Sequence, residues 1–353
     1  MSVRLIIVDE NRIPEAWAAK FVEKFYKGSA SIGPIHAILL SQENRKNPSN
    51  FIDDFLKATG LLFKDIKSVV VTENTFIQPG PQVTFPLEPG REFVVLTNGH
   101  DGNDYGNNKN VKRHMYGIPP GEGYLHVILK QFLLYEHVMN LAGPERVAGK
   151  IADLLSDIHY GPGEDNAYAF DYGLQRQLNG TIIDALFSLK TLEDIETCIE
   201  LGKKIRHGFS KTVQDRFERS TIQTIGGLRV PCAIGDIPVV DTIHYLAVRS
   251  KSNVGILFGY DISKGITYMT VKSLYKNGNF INPVSAAKLS MIAMNNAKKN
   301  FDCMRVEDDE GVKEREAVIT FGGNKFNGGG SIDKLVFPHD FADWPGQPSQ
   351  EEE

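Results

Sequence analysis

The chain has 353 residues and a mass of 39.3 kDa, more than one hydrophobic core usually organises, so two domains are expected. With 41% hydrophobic and 24% charged residues the composition is that of a globular protein, and no stretch approaches the roughly 18 apolar residues of a membrane-spanning helix. A formal net charge of −5 and a pI near 6.0 exclude the chain-wide positive field of a general nucleic-acid binder, so any such contact has to be local.

The opening run from Met1 to Val8 ends at Asp9-Glu10. It lacks the length and the small-residue cleavage site of a signal peptide and reads as a buried first strand. Leu5 to Val8, Ile35 to Leu40, Ser68 to Val71 and Phe93 to Leu96 are compact apolar runs. Pro14 to Tyr26 and Asn50 to Leu61 carry apolar residues at helical spacing, with Pro14 suited to a first helical turn. This alternation predicts an α/β fold with a parallel sheet and helices on both faces. The Gly-, Asn- and Asp-rich loop from Asn98 to Asn110 follows the fourth run, where open α/β sheets place ligands; a plain surface turn is the other reading.

Helical periodicity continues over Gly123 to Leu141 and Pro144 to Asp157. A helical connector is predicted from Asp184 to Phe217, with a capping box at Thr191 and Asp194. Ile222 to Phe337 returns to β-rich text, with runs at Val230 to Ile234, Val254 to Gly259, Thr267 to Val271 and Ala317 to Phe321. Asp340 to Glu353 is rich in Pro, Gln and Glu. The expected division is a sheet domain over 1–190, a helical connector over 191–220, a smaller α/β domain over 221–340 and a disordered acidic tail over 341–353. The three cysteines, Cys198, Cys232 and Cys303, are odd in number and far apart, which argues against a disulfide framework or zinc knuckle and for a reducing, cytoplasmic setting.

Several segments, in order, resemble motifs of the DHH-superfamily phosphoesterases. Leu5 to Val8 leads into Asp9-Glu10-Asn11 and Ala16-Trp17-Ala18-Ala19; Val69-Val70-Val71 ends in Thr72-Glu73; Val94-Val95-Leu96 is followed by Thr97-Asn98-Gly99-His100. Asp157-Ile158-His159-Tyr160 precedes Ala167-Tyr168-Ala169-Phe170-Asp171-Tyr172-Gly173-Leu174, the best of the matches. Near the C-terminus, Gly322-Gly323-Asn324-Lys325-Phe326-Asn327-Gly328-Gly329-Gly330 is similar to the family's glycine-rich substrate loop, with Lys325 where a histidine stands, and Lys272 lies where the family carries an arginine. The resemblance implies a DHH-like domain, a connector and a DHH-associated C-terminal domain. It also implies enzymes that hydrolyse phosphodiesters or polyphosphate with two manganese ions.

This chain departs from the pattern where it matters most. The second aspartate of the first motif is Asn11, the second motif ends in Thr72, and a single histidine, His100, replaces Asp-His-His. Two divalent ions a few Å apart repel, and only several anionic and imidazole ligands offset that repulsion. Asp9 and Asp157 are the plausible ligands, with Glu73 and His100 as weaker substitutes, so an inactive relative with no bound cofactor is expected. The alternative is a phosphodiesterase or nuclease with a reduced Mn or Mg site at Asp9, Glu73, His100 and Asp157.

Lys272, Gly322, Gly323, Lys325, Gly328, Gly329 and Gly330 are candidates for binding an anion through backbone N–H groups, although the glycine run also reads as turn and linker. Lys109, Lys112 and Arg113 are candidate nucleic-acid contacts, with a solvated charged face as the stronger reading. The same holds for Lys203, Lys204, Arg206 and His207. His100 with Asp101 and Asp104 reads more readily as a polar turn than as a metal cluster, and His159 as a ligand, a base or a helix cap. The expected partner is a nucleic acid or a nucleoprotein or protein assembly, with no membrane; a purely structural or inhibitory protein is the third reading.

Overall fold

The computed structural model describes residues 3–29, 33–45, 48–72, 75, 92–97, 111–115, 123–140, 146–160, 165–177, 180–276, 279–280, 284–303, 317–323 and 326–343. The chain divides into two compact units, Met1–Gly161 with Asp165–Glu200, and Pro162–Glu164 with Leu201–Glu353. Among the described residues no helix is long and apolar enough to cross a membrane.

The first unit begins with β1 (Val3–Asp9), α1 (Ile13–Phe25), β2 (Ile35–Leu40), α2 (Pro48–Thr59), β3 (Ile66–Thr72), β4 (Glu92–Thr97) and β5 (Val111–Met115). The five strands pair in parallel in the order β2-β1-β3-β4-β5. Because side chains alternate across a strand, the continuous apolar runs feed two cores at once. Ile6, Val8, Val70, Val94 and Leu96 pack beneath α1 and the later helices, while Leu5, Ile7, Val69, Val71 and Val95 pack with Ile52 and Leu56 of α2. Each fully buried aliphatic side chain contributes about 1.5–3 kcal/mol. β5, with sequence VKRHM, is an edge strand that the apolar-run criterion passes over.

The remaining helices of this unit are α3 (Tyr124–Gln131), α4 (Tyr135–Met139), α5 (Val147–His159), α6 (Asp165–Arg176), α7 (Ile182–Ser188) and the start of α8 (Leu192–Gly208). The single helix expected over 123–141 is in fact two. Leu133 takes φ 56°, Leu134 N–H donates to Leu129 O and Leu133 N–H to Lys130 O, the bond pair of a Schellman end built without glycine. The best sequence match, Ala167 to Leu174, is α6, and its Gly173 has a packing reason: a Cβ there would lie 1.9 Å from Cys198 O of α8. The predicted cap of α8 is present, with Thr191 N–H donating to Asp194 Oδ2 and Asp194 N–H to Thr191 Oγ1. The two units part within α8, after Glu200.

The second unit adds α9 (Ser210–Glu218), β6 (Thr221–Ile225), β7 (Leu228–Ile234), α10 (Val239–Arg249), β8 (Val254–Asp261), β9 (Ile266–Ser273), the short pair β10 (Tyr275–Lys276) and β11 (Asn279–Phe280), α11 (Ala286–Cys303), β12 (Ile319–Gly323) and β13 (Asn327–Ile332). Its main sheet runs β12-β13-β9-β8-β7-β6, and only the β7–β8 pair, joined through α10, is parallel. α11 supplies Leu289, Ala293, Met294 and Ala297 to the core on one face, and α10 supplies Ile243 and Leu246 on the other.

Residues 341–343, expected to belong to a disordered tail, are ordered instead. Phe341 is fully buried, 4.5 Å from the Phe258 ring, and the Asp343 carboxylate accepts from Gly226 and Gly227 N–H. Residues 344–353 lie outside the described residues.

Candidate functional site

The carboxyl ends of β2, β1 and β3 form a crest on which Asp9 is the first acidic group, 4% exposed at the end of β1. A carboxylate so buried needs a counter-charge or a full set of donors. It has both. Arg45, in the turn after β2, places Nη1 2.6 Å from Asp9 Oδ2, while Oδ1 accepts from Asn11 N–H at 3.0 Å and from Asn11 Nδ2 at 3.3 Å. Arg45 also donates through Nε to Thr75 O at 2.9 Å. Thr75 is locked in turn: its Oγ1 accepts from Thr72 N–H, lies 3.0 Å from Thr72 Oγ1 and donates to Ile7 O. The guanidinium thus ties the ends of three adjacent strands together over one buried aspartate. Burial lowers the Arg45 pKa, and the Asp9 charge opposes that shift.

Behind the crest a second carboxyl is buried. Glu15, in the first turn of α1, is 2% exposed and accepts from Tyr160 O–H at 2.6 Å through Oε1, whereas Oε2 has no hydrogen-bond partner among the described residues. Burial raises its pKa above the ordinary 4.5, and the Tyr160 bond and the Arg12 charge work against that rise. Burial first, then the Glu15 charge, raises the Tyr160 phenol well above 10, so it stays a donor. His159 keeps an exposed edge, yet desolvation of its ring and then Arg12 hold its pKa down to about 4, leaving it neutral near neutral pH. Gly123 N–H donates to His126 Nδ1, which puts the ring proton on Nε2, 3.3 Å from Ser156 Oγ.

Of the metal candidates, Asp157 is half-buried in the last turn of α5, and Glu73 and His100 lie outside the described residues. Among the described residues no three His, Cys, Asp or Glu side chains converge in a group able to hold a metal ion. Asp9 does not fit such an ion as it stands, because both its oxygens are engaged and a cation would first have to displace the Arg45 guanidinium. Arg45, Glu15 and Tyr160 were not singled out from the sequence. The signal available for Arg45 was its place in a polar turn after a parallel strand, the same reasoning applied to 98–110.

The described glycines of the run lie in strands. Gly322 and Gly323 end β12, and Gly328 to Gly330 lie in β13, which pairs with β12 on one side and β9 on the other. The amides of Gly328 to Gly330 belong to two ladders, so at those positions a cradle of free N–H groups is replaced by a paired central strand. The glycines are there for close approach: a Cβ on Gly328 would lie 2.5 Å from Ala286 O of α11, one on Gly329 2.7 Å from Met269 O, and one on Gly330 2.3 Å from Thr320 O. Lys272 is 4% exposed in β9, in register with Asn327. Lys325 and Lys109 lie outside the described residues, and of Lys112 and Arg113 only the backbone, in β5, is described. Cys198 and Cys232 are buried free thiols, each pushed up to about 12 by burial, and neither is a thiolate nucleophile.

No protein-family model and none of the curated proteins matches this chain. Among solved structures it is similar to a DHH-domain member of a family of ribosomal proteins, at 12% identity and TM-score 0.49, over 94% of this chain and 82% of that one. It is also similar to PggH, a pGpG-specific phosphodiesterase from Vibrio cholerae, at 8% identity and TM-score 0.41, over 93% and 92% of the two chains. A third similarity is to RecJ in complex with Mn2+ from Thermus thermophilus, at 12% identity and TM-score 0.43, over 93% of this chain and 49% of that one. At such identities and scores the likeness says nothing of chemistry, which rests on this chain's own side chains.

Proposed function

We propose that this chain is a DHH-type phosphoesterase scaffold that works by binding a nucleic acid or a nucleoprotein or protein partner and does not hydrolyse phosphodiesters at a two-metal centre. The observation that carries the reading is the Asp9–Arg45 pair. A guanidinium 2.6 Å from the crest aspartate supplies the positive charge that a metal would otherwise bring. It cannot lower the pKa of a coordinated water, the step from which metal-dependent hydrolysis takes its nucleophile. Its own charge is balanced by Asp9, so phosphate recognition at the crest needs a further, unpaired cation. The exposed Arg12 guanidinium, which makes no ion pair among the described residues, is such a cation beside the pair.

Two measurements on the purified chain test this. Manganese titration followed by desalting and metal analysis is expected to leave no stoichiometric metal, and a generic phosphodiester is expected to survive with added manganese. A pull-down from lysate, with and without nuclease, is expected to return a stable complex and to show whether nucleic acid mediates it. Two retained manganese ions together with hydrolysis that Asp157→Ala abolishes would overturn the reading in favour of an enzyme.

A further inference from the structure

The second unit carries a groove of about 660 Å³ between α9, the β6–β7 hairpin and the Phe337–His339 segment, within the range of small-ligand sites. Its walls differ in character. One bears aromatic surface: Phe337 is 63% exposed, its ring stacked at 6° to His339 with centroids 5.7 Å apart. The segment is held in place by Phe337 N–H donating to Asp340 Oδ2. Two arginines of the α9 region, Arg216 and Arg219, also line the groove.

Arg216 donates to the carbonyls of Asp236, Ile237 and Pro238 and to Thr242 Oγ1, so its position is fixed, and it makes no ion pair among the described residues. The Arg219 backbone N–H donates to Asp215 O, while its exposed side chain makes no hydrogen bond or ion pair among the described residues. Asp215 and Asp236 also line the groove, and on β6 Gln223 donates through Nε2 to Thr221 Oγ1, leaving its amide oxygen as an acceptor. A simple polyanion would be repelled by the two carboxylates, and a purely apolar ligand would waste the two cations. The occupant has to combine an anion, a flat π-face and N–H or O–H donors for the carboxylates and the amide oxygen.

We propose that this groove binds a nucleotide, its base stacked on the Phe337–His339 pair, its phosphate at Arg219 and its amino or ribose hydroxyl groups donating to Asp215 or Asp236. A free nucleotide and one residue of a single strand present the same chemistry. Base stacking on aromatic side chains with arginine at the phosphate is how single strands are held without sequence preference. The site belongs to the second unit alone and is independent of the crest.

The test uses the full chain at low salt, with fluorescence anisotropy of labelled AMP and of a labelled oligo-dA. Phe337→Ala and Arg219→Ala each remove an exposed side chain and leave the core intact; each is expected to weaken binding about tenfold, the size typical of one stacking contact. Phe337→Trp is expected to retain affinity. Binding of both probes identifies a free-nucleotide site, and binding of the oligonucleotide alone identifies a strand site; either supports the proposal if the variants weaken it. Affinity for neither probe overturns it, as does binding indifferent to both variants, which would locate the nucleic-acid contact elsewhere. Peptides captured from a display library through Phe337, with no nucleotide affinity, would show a protein-docking groove instead.

Discussion

The crest of the first sheet and the glycine strand of the second unit present the same lesson from opposite chemistries. At the crest a charged residue that suggests a metal ligand is already satisfied by a guanidinium from a neighbouring turn. In β13 a run of residues with no side chains, which suggests a ligand-binding loop, is filled by α11 and the flanking strands. In both places the sequence marks a special position, and packing decides what the position does. The difference lies in tolerance: the crest fails if a charge loses its partner, the strand fails if a methyl group is added.

Arg45→Ala sharpens the crest side most strongly. It leaves Asp9, 4% exposed, with Asn11 as its remaining donor, and breaking a buried pair from one side costs about 3–5 kcal/mol. Asp9→Asn with Arg45→Met removes both charges and is expected to recover most of the loss, because neither group is then stranded. Denaturant midpoints of Asp9→Asn, Arg45→Met and the double variant measure the coupling. A near-zero coupling energy would mean that the pair is incidental.

On the strand side, Gly328→Ala would push a methyl group against backbone, Ala286 O at 2.5 Å, as well as Ser290 Oγ at 2.4 Å. Overpacking of this kind costs about 1–3 kcal/mol. Gly322→Ala is the internal control, since nothing lies within 4 Å of its Cβ, and its effect should stay within about 0.5 kcal/mol. If thermal unfolding shows the two substitutions to be equivalent, the glycines are not there for packing and the ligand reading of the run returns.

The same contrast explains what was legible in the sequence. β1 to β4 announce themselves because a parallel strand buried on both faces is a continuous apolar run. The capping box of α8 is likewise local, two residues reading each other across one turn. β5 and β13 are not legible, because VKRHM is a polar edge and NGGGSI carries almost no side chains on which a period could be written. The break at Leu133 escapes because glycine is the usual marker of a left-handed helix end and leucine is not. Asp9 could be singled out as a crest residue, but its partner could not. Arg45 reaches it only once β2 lies beside β1, a pairing that the intervening sequence does not encode locally.

The smallest expected effect concerns Glu15, a buried carboxyl that, unlike Asp9, has no ion pair among the described residues. Burial raises its pKa in the folded chain above the ordinary 4.5, so between the ordinary carboxylate range and the raised value the folded state holds a proton that the unfolded state has released. The stabilisation linked to that proton is therefore complete below the unfolded pKa and is lost as the pH rises through the folded one. Glu15→Gln keeps an amide oxygen for the Tyr160 O–H, 2.6 Å away in the native pair, and cannot ionise. Across that window the wild-type chain should lose stability with rising pH while the glutamine variant stays flat, so that the variant becomes the more stable of the two at the upper end. Denaturant midpoints at a series of pH values read this directly. Parallel curves would mean that water reaches Oε2, and that the first unit opens behind the crest more readily than its packing implies.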